Sequence, residues 1–415
     1  MSGKSKISPG YKKTEIGIIP EDWEVKRLGD IGTITTGGTP PTSDKKYWNG
    51  KFLWATPTDI GERKVIKSTE RKITDKGIKL VGLIPRNSLL VTCIASIGKN
   101  AILEQDGACN QQINAITSFK NYDVDFLYYV IEHYNNRLLE KAGQTATPII
   151  NKNEFSLLSF AFPSTLSEQR IIARVLSDID RLIESLDKLI EKKKLIKKGT
   201  MQQLLTGKKR LPGFKGEWVR KRLGEVGIIK TGGTPPTSLK KLWRGDVIWV
   251  TPTDIDEHKE IRKTERTISE EGLKTVGELP PNTLLVTCIA SIGKNAILKK
   301  RGACNQQINA ILPSHDYDID FLYYLVEFNA KKLLEKAGTT ATPIISKNEF
   351  TQLLFAFPPT LEEQHAIAQI LSDMDAEIEA LEQKKKKYEK IKKGAMELLL
   401  TGKIRLKDHI KEVLA

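Results

Sequence analysis

The stretch Thr165–Thr206, TLSEQRIIARVLSDIDRLIESLDKLIEKKKLIKKGTMQQLLT, decides the fold. It returns at an offset of 195 residues as Thr360–Thr401, TLEEQHAIAQILSDMDAEIEALEQKKKKYEKIKKGAMELLLT. Each copy reads as one long helix. Thr165 with Glu168, and Thr360 with Glu363, fit a capping box. Apolar residues at Ile172, Leu176, Ile179, Ile183, Leu186 and Ile190 alternate in steps of four and three, the seam of a coiled coil. The second copy keeps the seam at Ile367, Leu371, Met374, Ile378 and Leu381 but has Lys385 where Ile190 stood. Gly207 and Gly402 are the expected stops. Each helix opens acidic (Glu168, Asp178, Asp180, Glu184; Glu363, Asp373, Asp375, Glu379) and closes in lysines (Lys192–Lys194, Lys197, Lys198; Lys384–Lys387, Lys390, Lys392, Lys393). Parallel pairing would set lysines against lysines, so the charges predict an antiparallel intramolecular coiled coil.

The rest of the chain obeys the same offset. Trp23 matches Trp218, Trp54 matches Trp249 and Phe126 matches Phe321. A period of this length is too long for a solenoid repeat and marks a duplicated module, a globular piece followed by a helix. The globular piece reads as α+β. Strands are expected at Gly32–Thr35, Phe52–Ala55, Ser88–Ala95 and Asn114–Ile116. An amphipathic helix is expected over 122–141, and short capped helices after Asn151 and Ser346. The resulting division is 1–163 and 208–358 for the globular domains, 164–207 and 359–405 for the helices, and 406–415 for a tail.

The 415 residues carry a net charge of +15 with a pI near 9.4. That balance favours a polyanionic partner, most simply nucleic acid. Nothing resembles a signal peptide and no apolar run is long enough to span a membrane, so a cytoplasmic protein is expected. Cys93, Cys109, Cys288 and Cys304 sit in apolar surroundings without CxxC spacing and read as buried free thiols. None of the five histidines recurs at matching positions, which argues against a histidine-based site used twice, and no metal is expected.

The DNA-facing candidates come in pairs. Thr36, Gly37, Gly38 and Thr39 open the loop TGGTPPTS, repeated at Thr231, Gly232, Gly233 and Thr234. Its glycines allow close approach and its hydroxyls can donate to phosphate; the alternative is a rigid turn that shapes the domain. Lys45 and Lys46 follow, as do Lys240 and Lys241. Lys99 and Asn100 (Lys294 and Asn295), with Gln111 and Gln112 (Gln306 and Gln307), offer a cation and amides able to bond an adenine edge, or amides that satisfy backbone groups. Arg63 and Lys64 lie in the stretch 61–79, where the copies diverge. The loops QTATP (144–148) and TTATP (339–343) could also hold phosphate. There is no GxxxxGK[ST], no GxGxxG and no N-P-P-F/Y, the motif that holds a target adenine in DNA methyltransferases.

In order, TGGTP, TPTDI, IGKNA and NQQINAI, then an SEQ or EEQ helix ending in LLTGK, all twice, resemble the specificity subunit of a type I restriction–modification enzyme. The likeness covers nearly the whole chain. It implies two target-recognition domains, each reading one half of a bipartite double-stranded DNA site, with two long helices that space them and dock two methyltransferase subunits. Restriction subunits complete that assembly. It further implies a chain with no active site and no bound cofactor, S-adenosylmethionine being used by the methyltransferase partner. Similar halves related by an approximate twofold axis would read a near-palindromic target. A stand-alone DNA-binding repressor or architectural protein is the alternative.

Overall fold

The computed structural model describes residues 8–61, 63–143, 147–337 and 343–406. The chain forms two compact units, 1–186 with 384–415, and 187–383. Each unit therefore holds one globular part, the first half of one long helix and the second half of the other.

In the first unit, Leu89–Thr92, Asn100–Leu103 and Ile113–Thr117 are buried at every position. Such strands need cover on both faces. Leu89, Val91, Ile102 and Ile116 face a core shared with Phe126, Tyr129 and Val130 of the helix Val124–His133. Leu90, Ala101, Leu103, Ile113 and Ala115 face a second, smaller core. The five-stranded sheet runs Thr33–Thr36, Ile113–Thr117, Leu89–Thr92, Asn100–Leu103, Val65–Ile66, antiparallel except for its last pair. A three-stranded sheet places Trp48–Ala55 between Gly107–Cys109 and Arg71–Ile73. The second unit repeats both sheets in the same order, with Ile229–Thr231, Ile308–Ile311, Thr283–Thr287, Asn295–Leu298 and Glu260–Ile261 in the larger one.

Local expectations meet three departures. The strand expected at Ser88–Ala95 ends at Thr92, because Ala95 sits at φ 62° and the chain turns there. The helix expected over 122–141 is two, Val124–His133 and Asn135–Ala142, broken at Tyr134 so that Leu138 and Ala142 reach the same core. The capping boxes at Asn151 and Ser346 form in full, but those of the long helices form by half. Thr165 Oγ1 accepts the Glu168 N–H at 3.3 Å, while the Glu168 carboxylate turns away to Arg405.

The long helices are Leu166–Leu204 and Leu361–Leu399. Gly207 and Gly402, at φ 68° and 71°, lie just past their ends. In each unit the first half of one helix runs antiparallel to the second half of the other. In the first unit Ile172, Ala173 and Leu176 share a core with Met396, Leu399 and Leu400, and Lys392 Nζ lies 2.9 Å from Asp180 and 2.8 Å from Glu132. In the second, Ile367, Ala368 and Leu371 share one with Met201, Leu204 and Leu205, and Lys197 Nζ lies 2.8 Å from Asp375. The lysine ends meet acidic starts, as the charge gradient requires. Each unit closes on an arginine clamp. Arg405 bonds Glu168 in a fork at 2.7 and 2.8 Å and also holds Asp22; Arg210 holds Glu363 at 2.6 and 2.7 Å. Gln169 beside the clamp accepts the Asp123 N–H and donates to the Pro163 carbonyl, locking the helix start to its domain. No helix among the described residues is long and apolar enough to cross a membrane.

Candidate nucleic-acid interface

The loop that follows the strand Thr33–Thr36 lies against the turn Cys109–Ile113. The Gly37 N–H donates to the Ile113 carbonyl at 3.0 Å and the Gly38 N–H to the Cys109 carbonyl at 2.8 Å. A Cβ on Gly37, or on Gly232 in the second unit, would stand 2.2 Å from the carbonyl oxygen of Cys109 or Cys304. These glycines let two stretches of the chain's own backbone meet. Two indoles hold the loop from the other side. Trp54 donates to the Gly38 carbonyl and Trp48 to the Pro41 carbonyl, both at 3.0 Å; Trp249 and Trp243 do the same for Gly233 and Pro236 at 2.9 and 3.3 Å. The indoles meet edge to face, with centroids 4.9 Å apart in both units. The Arg71 guanidinium lies over them, 3.4 Å from the Trp48 centroid and 5.4 Å from that of Trp54; Arg266 stands at 4.0 and 5.0 Å in the second unit.

Thr39 of this braced loop and Gln111 of the adjoining turn are exposed and joined, the hydroxyl donating to Gln111 Oε1 at 2.6 Å. Thr234 and Gln306 repeat the pair. The bond orients the amide and leaves its NH₂ group pointing elsewhere, an arrangement suited to reading an acceptor–donor edge. Gln112 sits behind it, accepting from Asn110 Nδ2 at 2.9 Å, and Gln307 accepts from Asn305 in the same way. The Thr36 hydroxyl turns inward to Asn114, whose amide donates to Cys93 Sγ; Thr231, Asn309 and Cys288 form the matching chain. Burial holds Cys93 up at about 11 and Cys109 at about 12, so both thiols stay neutral.

The turn 94–99 joins the same surface, because the Cys93 N–H donates to the Gln112 carbonyl and Ala95 to Pro148. Lys99 and Lys294 are exposed on it. Lys45 and Lys46 are exposed beyond the loop, as are Lys240 and Lys241. Lys46 pairs with Asp44 at 2.6 Å, which holds that carboxyl below its ordinary range, and Lys241 pairs with Glu271 at 3.0 Å.

The geometry places four of the DNA-facing candidates away from this surface. Asn100 and Asn295 are buried, each 7 % exposed, and the Asn295 amide donates to the Tyr323 carbonyl. Lys64 is half-buried, its ammonium against Asp125 and Ser177 and over the Tyr129 ring, so it fastens the domain to the long helix; Lys259 does likewise with Asp320 and Ser372. Arg63 is exposed, but the strand that follows it is the sheet edge opposite Thr33–Thr36, away from the braced loop. The phosphate-loop candidates at 144–146 and 339–342 lie outside the described residues. The tryptophan brace with its arginine escaped the sequence reading, although Trp48, Trp54 and Arg71 all recur at the repeat offset.

The family model for the type I restriction modification DNA specificity domain matches residues 20–194 and again 215–392. The chain belongs to that family. Both matches of the specificity domain run from the globular part into the long helix that follows it. Among its relatives, the type I restriction enzyme MjaVIII specificity subunit of Methanocaldococcus jannaschii is 28% identical, covering 94% of this chain and 95% of its own. The MjaIX specificity subunit of the same organism is 26% identical over 87% and 89%. The EcoR124I/EcoR124II specificity subunit of Escherichia coli is 30% identical over 39% of this chain and 42% of its own. The specificity-domain architecture recurs in the S subunit of M. genitalium, with a TM-score of 0.62 at 16% identity over 96% of this chain and 99% of that one.

Proposed function

We propose that this chain is the DNA-reading subunit of a type I restriction–modification complex. Each unit reads one half of a bipartite, near-palindromic double-stranded target through the surface around Thr39 and Gln111, or Thr234 and Gln306. Two methyltransferase subunits, docked on the long helices, supply S-adenosylmethionine chemistry, and restriction subunits join them; the chain itself catalyses nothing. The observation that carries this reading is the duplicated braced loop in a specificity-domain chain. Thr39, Lys45, Lys46, Lys99 and Gln111 recur unchanged at the equivalent positions of the second unit. Equal exposed chemistry calls for equal or closely related half-sites. The test is adenine methylation of genomic DNA, mapped by sequencing, with the purified chain, with the methyltransferase subunit, and with both. Methylation at one split, self-similar motif with both present and none with the chain alone is expected. Methylation by the single chain, or half-sites with no similarity, would refute it.

A further inference from the structure

Arg71 and Arg266 hold equivalent places, and each is set in position twice. The backbone is pinned first, by a threonine hydroxyl that donates to the arginine's own carbonyl, Thr69 to Arg71 at 2.6 Å and Thr264 to Arg266 at 2.7 Å. The side chain is then stacked on the tryptophan pair. Yet among the described residues neither guanidinium has a hydrogen-bond or ion-pair partner. By contrast, Arg210, Arg301 and Arg405 are each held by carboxylates. Arg71 is half-buried and Arg266 exposed, so the N–H edge of each meets solvent. A guanidinium lying over a ring keeps its five in-plane donors while losing rotational freedom, which lowers the entropy lost when a ligand binds. The same indoles fix the loop that carries Thr39, whose hydroxyl holds Gln111 of the adjoining turn, so the fork and the amide are parts of one braced surface. The flanks differ between units, Ser68 and Lys72 against Lys263 and Thr267, while the stacked triad does not.

We propose that Arg71 and Arg266 are DNA-contacting residues, one per half-site. Each presents its N–H edge to a planar pair of acceptors, either the O6/N7 edge of a guanine or two oxygens of a phosphate. This rests on the DNA-reading role proposed above. The experiment uses the assembled methyltransferase complex with full-length chain carrying R71A, R71M, R71K or R266A. Binding and methylation are measured on a library in which either half-site is randomised, with the unsubstituted complex alongside. Each alanine variant should weaken binding roughly 5- to 150-fold, the range for loss of one bidentate contact. In the guanine case one base position relaxes in a single half-site, R71A and R266A affect opposite halves, and R71K behaves like R71A. In the phosphate case all sequences weaken alike, the slope of log affinity against log salt flattens by about 0.9, and R71K recovers binding. R71M keeps an apolar stem on the indole and separates loss of contact from loss of fold. Wild-type binding by R71M and R266A, or a loss on both halves that follows the unfolding temperature, overturns the proposal. Failure of the unsubstituted complex to bind DNA would instead overturn the DNA-reading role.

Discussion

Arg405 and Glu168 form a largely buried ion pair in the first unit. Glu168 is 2 % exposed and Arg405 16 %. Removing the arginine alone leaves a buried carboxylate uncompensated, a loss of about 3–5 kcal/mol. R405A should therefore lower the denaturant midpoint of the first unit, and R210A that of the second; matching midpoints for R405A and wild type would show that the carboxylate is solvated. The thiols allow a second check. With folded values near 11 and 12 against an ordinary 9.0, Cys93 and Cys109 should resist alkylation at pH 8 until the chain unfolds, as followed by mass spectrometry. The sign follows from the upward shift. Their contribution is intact below pH 9, and stability falls as pH rises from there through about 11. Residue identities of this kind were only partly legible in the sequence. The buried thiols could be read from their apolar neighbours. Glu168 could be read as a helix start and Arg405 as following a helix stop, but nothing local makes them partners, since the bond spans 237 positions.

The braced loop is the element whose role was hardest to read. Its glycines suggest either close approach to DNA or a tight turn, and the deciding neighbour, the Cys109 carbonyl, is far away in the chain. Elements with strong periodicity were easier. The long helices follow from their heptads and the central strands from short apolar runs, with a strand bound shifted where Ala95 turns the chain and the 122–141 helix broken at Tyr134. Asn100 shows the limit of motif reading. A polar residue next to an exposed lysine looks like surface, yet alternation in the strand Asn100–Leu103 and its cover by helix Val124–His133 bury it. For the loop's basic flank, K45A/K46A should weaken binding alike on all DNA sequences and reduce the salt slope by up to about 0.9 per lost phosphate contact. The Asp44–Lys46 pair is an exposed one of the kind worth little, so it does not withhold the lysine from phosphate. An unchanged slope would place this flank away from the DNA backbone.

At the scale of the molecule, each long helix passes from one compact unit into the other, and its seam repeats every seven residues. Inserting one heptad after Ser185 and another after Ala380 preserves the seam on both helices and lengthens each by about 10.5 Å. At about 3.4 Å per base pair this corresponds to roughly three base pairs of spacer, with about a third of a turn of DNA twist to absorb. Methylome sequencing should find either a spacer longer by about two to four base pairs, or loss of site-specific methylation with non-specific binding retained. Full activity at the original spacer would mean that the helices do not set the distance. The duplication and its constant offset made this organisation the most legible part of the sequence. The exchange of helix halves between units was less so, because periodicity is blind to where along a helix one core stops and the next begins.

That exchange also imposes an order on biosynthesis. The second unit is one uninterrupted segment, 187–383, and all of it is translated before Lys384 is added. The first unit, though begun earlier, lacks Met396, Leu399, Leu400 and Arg405 until the whole of the second has been translated. The domain born first is thus the one finished last, and an exposed apolar face on Ile172, Ala173 and Leu176 persists throughout synthesis of the other. A stop codon between Lys384 and Met396 consequently damages the unit whose globular part is translated first, far along the sequence from the lesion.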